Sequence, residues 1–192
     1  KKFDNYKVEK SEDELPLILW NHRWEHDKNP EVFFDALIEL SKKGSTFKLA
    51  VLGEEFKEEL PCFTKARETL KQHIVQFGYT DSFEDYAQWL WKADILPVTS
   101  NQDFFGGSIM EAVYCNTIPL LPKRLTYPEL FNENDNPQLF YKDEDELIKK
   151  LGSFIENIDK IRKQKLSKIA EKYDWSIMAE EYDREFVKFV SS

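Results

Sequence analysis

The stretch "LILWNHRWEHDKNPEVFFDAL", residues 17–37, decides the fold. Its first four residues are apolar without polar alternation. With Leu15 and Pro16 before them they read as a short strand buried on both faces. Its far end runs on through apolar Phe33, Leu37 and Leu40 to Gly44, the pattern of a helix with a glycine stop. Between the two lies the polar run "NHRWEHDKN", which reads as a strand-to-helix loop. A buried strand passing through a short loop into a helix is the building unit of a parallel sheet.

The same unit recurs downstream. "FKLAVLG", "IVQFG", "DILPVTS" and "TIPLLP" read as buried strands, and "PQLFY" as a possible sixth. Helical patterns separate them: "CFTKARETLKQH", then "FEDYAQWLWKA" behind an S-x-x-D cap at Ser82 and Asp85, then "GSIMEAVYCN". Helices over 144–157, 160–172 and 175–190 follow. Strand and helix alternate five times, which predicts a Rossmann-like, doubly wound parallel sheet with helices on both faces and further helices at the C-terminus. Residues 1–14 are polar and read as a linker or a frayed lead-in, and 15–192 as one domain. Because the chain starts at Lys1 without a methionine, it is read as part of something longer.

Ligands of such sheets bind beyond the carboxyl ends of the strands. This gives the loop 21–29 its importance, and two chemistries compete for it. His22, Glu25 and His26 spell H-x-x-E-H, a zinc-peptidase pattern. That site needs a helix to bring positions i and i+4 together, whereas this run follows a strand, and Pro30 disfavours helical geometry at Asn29. Arg23 and Lys28 instead suit a phosphate, with the following helix aiming its free N–H groups at the same space. A solvated loop, its cations paired with Glu25, Asp27 or Glu31, fits the loop equally well.

"SNQDFFGGSIMEAVYCN", residues 100–116, is the second informative segment. It follows the fourth strand and opens a helix at Gly106 and Gly107, whose amides, with those of Ser108 and Ile109, are placed to cradle an anion. Glu111 falls about one turn in, 3.6 residues being a turn, where a carboxylate can accept from two vicinal hydroxyls.

These residues carry a resemblance. "DFFGGSIME" resembles the Glu-x7-Glu signature of retaining family-4 glycosyltransferases with the GT-B fold. "HRWEHDKNPEVFF", "FGGSIMEAVYC" and "YPELF" are similar to the tRNA-queuosine mannosyltransferase subgroup. The resemblance runs from about residue 15 to 190 and covers only the C-terminal half of a GT-B enzyme. It implies that Arg23 and Lys28 grip the donor diphosphate, Glu111 holds the ribose, Asp103 contacts the donor sugar, and amides at Gly106, Gly107, Ser108 and Ile109 meet sugar or phosphate. Asp103, Arg23 and Lys28 would be the catalytic groups. Asp103 departs from the family's Glu, which draws its carboxylate back by roughly one bond length, ~1.5 Å. The implied donor is a nucleotide sugar, GDP-mannose, with no metal or other cofactor, and the implied acceptor is queuosine in tRNA, bound with the help of an N-terminal domain absent from this chain. A transferase using a UDP-sugar with a lipid or glycan acceptor, and a non-catalytic nucleotide-binding or protein-interaction module, stand as alternatives.

The remaining candidates are weaker. Tyr79 and Thr80 in "FGYTDS" and Gly53 and Glu54 in "LGEEF" end strands where the resemblance puts the nucleobase. His22 and His26 are candidates for a phosphate or sugar bond. Trp20 and Trp24 suit packing. Tyr127 and Glu129 suit loop support. "KDEDE" and "NENDND" lack a calcium-loop frame. The basic run "KIRKQKLSKIAEK" reads as a solvated helix face or an RNA backbone contact. The last helix should carry a bare apolar face.

Composition bounds these readings. The chain has 192 residues, 41% of them hydrophobic, enough for one sizeable core. A net charge of -9 argues against binding nucleic acid over the whole surface. No apolar run is long enough to span a membrane. Two well-separated cysteines, Cys62 and Cys115, fit a reducing cytoplasm.

Overall fold

The computed structural model describes residues 2–10, 14–53 and 60–190. Glu54, a base-loop candidate, lies outside the described residues. β1 (Leu17–Trp20) sits inside a six-stranded sheet with β2 (Lys48–Leu52), β3 (Ile74–Gly78), β4 (Ile95–Pro97), β5 (Ile118–Pro122) and β6 (Phe140–Tyr141), ordered β3-β2-β1-β4-β5-β6. All pairings are parallel. β1 pairs in register with β2 from Leu17↔Lys48 to Trp20↔Val51 and touches β4 at Ile18↔Ile95. β1, β4 and β5 are buried throughout, which is why their sequences do not alternate.

The order reverses between β1 and β4, so the loops after those strands splay apart and leave a crevice. α1 (Pro30–Lys42) packs on α2 (Pro61–Thr69) and α6 (Glu144–Glu156), while α4 (Gly107–Tyr114) packs on α3 (Phe83–Lys92) and α8 (Ser167–Glu171). The expected α3 cap is present, Ser82 Oγ accepting from the Asp85 amide at 3.0 Å.

The loop 21–29 is irregular apart from a single 3-10 turn at His26–Lys28, so the helix that H-x-x-E-H requires is absent. Asn29 takes a left-handed conformation, φ 52°, and Pro30 opens α1 at its first position. Trp24 anchors the loop. Its ring stacks on Phe63 at 4.2 Å and its Nε1 donates to the carbonyl of Leu52. Trp20 meets Phe33, Phe34 and Phe63 in the same aromatic cluster.

Two expectations change. The helix read over 160–172 is two short ones, α7 (Ile158–Arg162) and α8, because Arg162 turns back to the sheet and its guanidinium bonds Asp94 through two 3.0 Å contacts. The polar lead-in is not simply a linker: Phe3–Tyr6 forms a 3-10 turn, and Phe3 packs on Phe83, Tyr86 and Tyr114. Ring contacts made by a half-buried Phe3 hold the turn despite its charge. α9 (Trp175–Val190) carries the expected bare face, with Trp175, Ile177, Tyr182 and Phe186 exposed.

Candidate active site

Two loops at the β1/β4 crevice are laced together. Thr99, at the end of β4, donates its hydroxyl to the carbonyls of Lys28 and Asn29, both at 2.9 Å, and the Asn101 amide donates to Asp27 O at 2.7 Å. Lys28 is therefore drawn inward and is only 8% exposed. Its ammonium donates to Gln102 O at 2.9 Å and lies 3.1 Å from Asp27 and 3.7 Å from Asp103.

Asp103 is shared. Oδ1 accepts from the Gly106 amide at 2.9 Å, and Oδ2 accepts from the Tyr127 hydroxyl at 3.2 Å and faces Lys28. The shorter side chain thus serves as an internal cap on the turn into α4. Gly106 needs its left-handed φ of 73° to make that turn.

The expected amide cradle is narrower than four groups. Gly106 N–H is committed to Asp103, and Ile109 N–H donates to Gly106 O at 2.9 Å. Among the described residues the amides of Gly107 and Ser108 have no partner, as the first turn of a helix dictates. They are the pair left for an anion.

His22 and Asn21 lock β1's loop onto that helix start. Asn21 Nδ2 donates to Ser108 O at 2.7 Å, and His22 Nδ1 lies 3.0 Å from Ser108 Oγ. His22 Nε2 and Asn21 Oδ1 are buried with no partner among the described residues. Burial, reinforced by the nearby Lys28 cation, pushes the His22 pKa down to about 4, so the ring is neutral at ordinary pH. His22 thus orients Ser108 rather than meeting solvent, while His26 begins the 3-10 turn.

Arg23 breaks from the expected convergence. Its side chain is 69% exposed and pairs with Glu25 at 3.1 Å, an adjacent carboxylate that holds the guanidinium at the rim. The solvated-loop reading describes Arg23 in this structure, and of the two cations only Lys28 lies against Asp103, the residue that caps the turn into α4. Gly53 is a seat rather than a contact. With φ 105° it lies beneath the loop, where an added Cβ would stand 3.0 Å from His22 O. Tyr79 is 66% exposed at the edge strand's end, with Thr80 beside it.

Glu111 projects from the second turn of α4. Tyr86, from α3, donates its hydroxyl to Oε2 at 2.7 Å. Burial raises the Glu111 carboxyl and the Tyr86 bond opposes that rise. A cleft lined by Phe105, Gly107, Met110, Glu111, Tyr173 and Asp174 opens beside it, and neither Arg23 nor Lys28 lines this cleft. Tyr86 and Arg124 were not legible as site residues. Arg124 donates to Ser100 O at 2.9 Å and Thr99 O at 2.6 Å, fixing the β4 loop. A usable signal for Tyr86 is its place beside the buried Ala87 and Leu90 on α3, where a phenol must find a partner.

Comparison with known proteins gives the chain a family and a fold. Residues 1–173 match the family Glycosyl transferases group 1. A tRNA-queuosine alpha-mannosyltransferase of Drosophila melanogaster is 34% identical over 148 residues, 77% of this chain and 38% of that protein. The chain therefore spans well under half the length of that relative. Among solved structures, sucrose-phosphate synthase from Thermosynechococcus elongatus superposes with a TM-score of 0.69 at 17% identity, over 93% of this chain and 46% of that one. The C-terminal domain of a glycosyl transferase group 1 family protein from Francisella tularensis gives 0.65 at 19% identity, over 88% of this chain and 86% of that one. These two likenesses concern the fold, and the second pairs nearly the whole of an isolated C-terminal domain with this chain. With the family matched over most of its length and a six-stranded parallel sheet carrying the helix-opening glycines at its switch point, the chain belongs to the group 1 glycosyltransferases and has the fold of their GT-B C-terminal domains.

Proposed function

We propose that this chain is the donor-binding half of a retaining glycosyltransferase that moves mannose from GDP-mannose to queuosine in tRNA. The observation that carries the donor site is the apposition of Lys28 and Asp103 at the β1/β4 crevice beside the unpartnered amides of Gly107 and Ser108, with Glu111 one turn further on. The mannosyltransferase relative supports the sugar and the acceptor.

In this reading the diphosphate sits over the start of α4. Its charge grows as the sugar's anomeric C–O bond breaks, and fixed donors are worth most there. The Gly107 and Ser108 amides and the Lys28 ammonium meet that charge, and Arg23 swings from Glu25 onto the outer phosphate. These cations and the helix end carry the role a metal would otherwise fill. Glu111 accepts from the ribose hydroxyls, Asp103 orients the sugar from its capped position, and Tyr79, Thr80 and Gly53 border the base. The acceptor groups belong to an N-terminal domain outside this chain. No helix among the described residues is long and apolar enough to cross a membrane, and a tRNA substrate would place the protein in the cytoplasm.

The test is transfer by the full-length protein. Labelled GDP-mannose and queuosine-containing tRNA should give a mannosylated nucleoside by mass spectrometry. Transfer only from a UDP-sugar, or only to a lipid or glycan, would replace this reading with that one. One observation favours a binding-only module: both Asp103 oxygens are already used inside the loop. Tight GDP-mannose binding with neither transfer nor sugar release would establish it.

A further inference from the structure

The carboxylate assigned to the ribose does not stand alone. Glu111 makes no ion pair among the described residues, and its carboxylate accepts from the Tyr86 hydroxyl, 2.7 Å from Oε2. Tyr86 cannot easily turn elsewhere. Its ring is wedged against Phe3 and Phe83, with centroids 6.4 and 6.3 Å away. The phenol thus links α3 and α4 at the residue that lines the cleft.

We propose that Tyr86 is a positioning residue for nucleotide recognition: by occupying Oε2 it holds the Glu111 carboxylate in one orientation, with Oε1 left for the hydroxyls of a ribose. This rests on the reading of Glu111 as the ribose acceptor. A free carboxylate in a half-buried setting rotates and takes up a proton; one accepting from a fixed phenol does neither readily. Burial raises the Glu111 carboxyl, while Tyr86 and, more weakly, the Lys2 cation of the lead-in lower it. The other titratable groups around it are Cys115 on its own helix and Tyr114, Tyr173 and Asp174 around the cleft. Removing the phenol hydroxyl takes away the largest effect favouring the ionised form, so the pH below which ribose binding fails moves upward.

The experiment is calorimetry of GDP and of inorganic diphosphate binding to the chain between pH 5 and 8, with Tyr86→Phe, Glu111→Gln and the double variant. Tyr86→Phe should weaken GDP about tenfold, the scale of one hydrogen bond to a charged group. It should leave diphosphate unchanged and shift the acidic limb of GDP affinity to higher pH. The double variant should be no worse than Glu111→Gln, since both act on one contact. GDP affinity and pH profile unchanged in Tyr86→Phe, with loss in Glu111→Gln, would overturn the positioning role and leave the ribose reading standing. Equal loss of GDP and diphosphate in Tyr86→Phe would show general damage and also overturn it. No GDP loss in Glu111→Gln would overturn both.

Discussion

Arg23 and Lys28 differ in burial, and that difference sets what their removal does. Lys28 is inside, bonded to a backbone carbonyl and flanked by two carboxylates. Its replacement by Ala leaves Asp103 and Gln102 O without their cation, so both the melting temperature and diphosphate affinity should fall. Arg23 is at the surface with Glu25, a pairing that contributes little to stability. Arg23→Ala should leave the melting temperature unchanged and weaken nucleoside-diphosphate binding by about 1.5–3 kcal/mol, read by calorimetry. A pH effect belongs to His22. Its folded pKa is about 4 against an ordinary 6.5, so the native state resists taking up a proton. Its stabilising share is fully present above pH 6.5 and is lost as pH falls from there towards 4. The loss amounts to about 3 kcal/mol. Urea unfolding at stepped pH should show that extra acid loss in wild type and its absence in His22→Gln.

Among the elements, the loop 21–29 is held by one aromatic residue as well as by its polar groups. Trp24 is 5% exposed, stacked on Phe63, and roofs Gly53. Trp24→Ala should cost about 3–5 kcal/mol, the usual range for a buried aromatic, and should loosen the phosphate loop with it. Gly53→Val should act similarly through the left-handed φ and the contact with His22 O. Both are read by chemical denaturation. α9 is the opposite case. Trp175 and Phe186 are 71% and 66% exposed, so exchanging both for Ser should leave the unfolding midpoint unchanged while improving solubility.

For the whole molecule, the end of the sheet away from the site is closed by a buried charge. Asp94 is 2% exposed and accepts from the Leu17 amide and from Arg162, with Lys10 3.6 Å away. Lead-in, sheet and C-terminal helices meet on this one carboxylate. Burial lowers the Lys10 pKa to about 8, so it is still charged at neutrality. Asp94→Asn removes the buried negative charge beside Arg162 and Lys10 and should cost about 3–5 kcal/mol, seen as a melting temperature roughly 10 °C lower in differential scanning calorimetry.

The sequence by itself determined the strands, the order of helices and the loops at which to look. Apolar runs, glycine stops and the Ser82 cap are local signals, and local backbone preference with burial is enough to decide them. The nearness of Asp103, Gly107 and Glu111 was legible because a glycine-opened helix brings them within nine consecutive residues. Only the tertiary structure decided which side chains spend their polar atoms internally. Asp103 caps Gly106, His22 faces Ser108, Tyr86 holds Glu111, and Arg23 turns out to Glu25. Those choices depend on partners that are, Glu25 and Gly106 apart, 25 to 86 positions away in the chain, and a one-dimensional pattern carries neither their distance nor their solvation. The break between α7 and α8 has the same cause: nothing local stops that helix, but Arg162 finds a buried carboxylate 68 positions earlier.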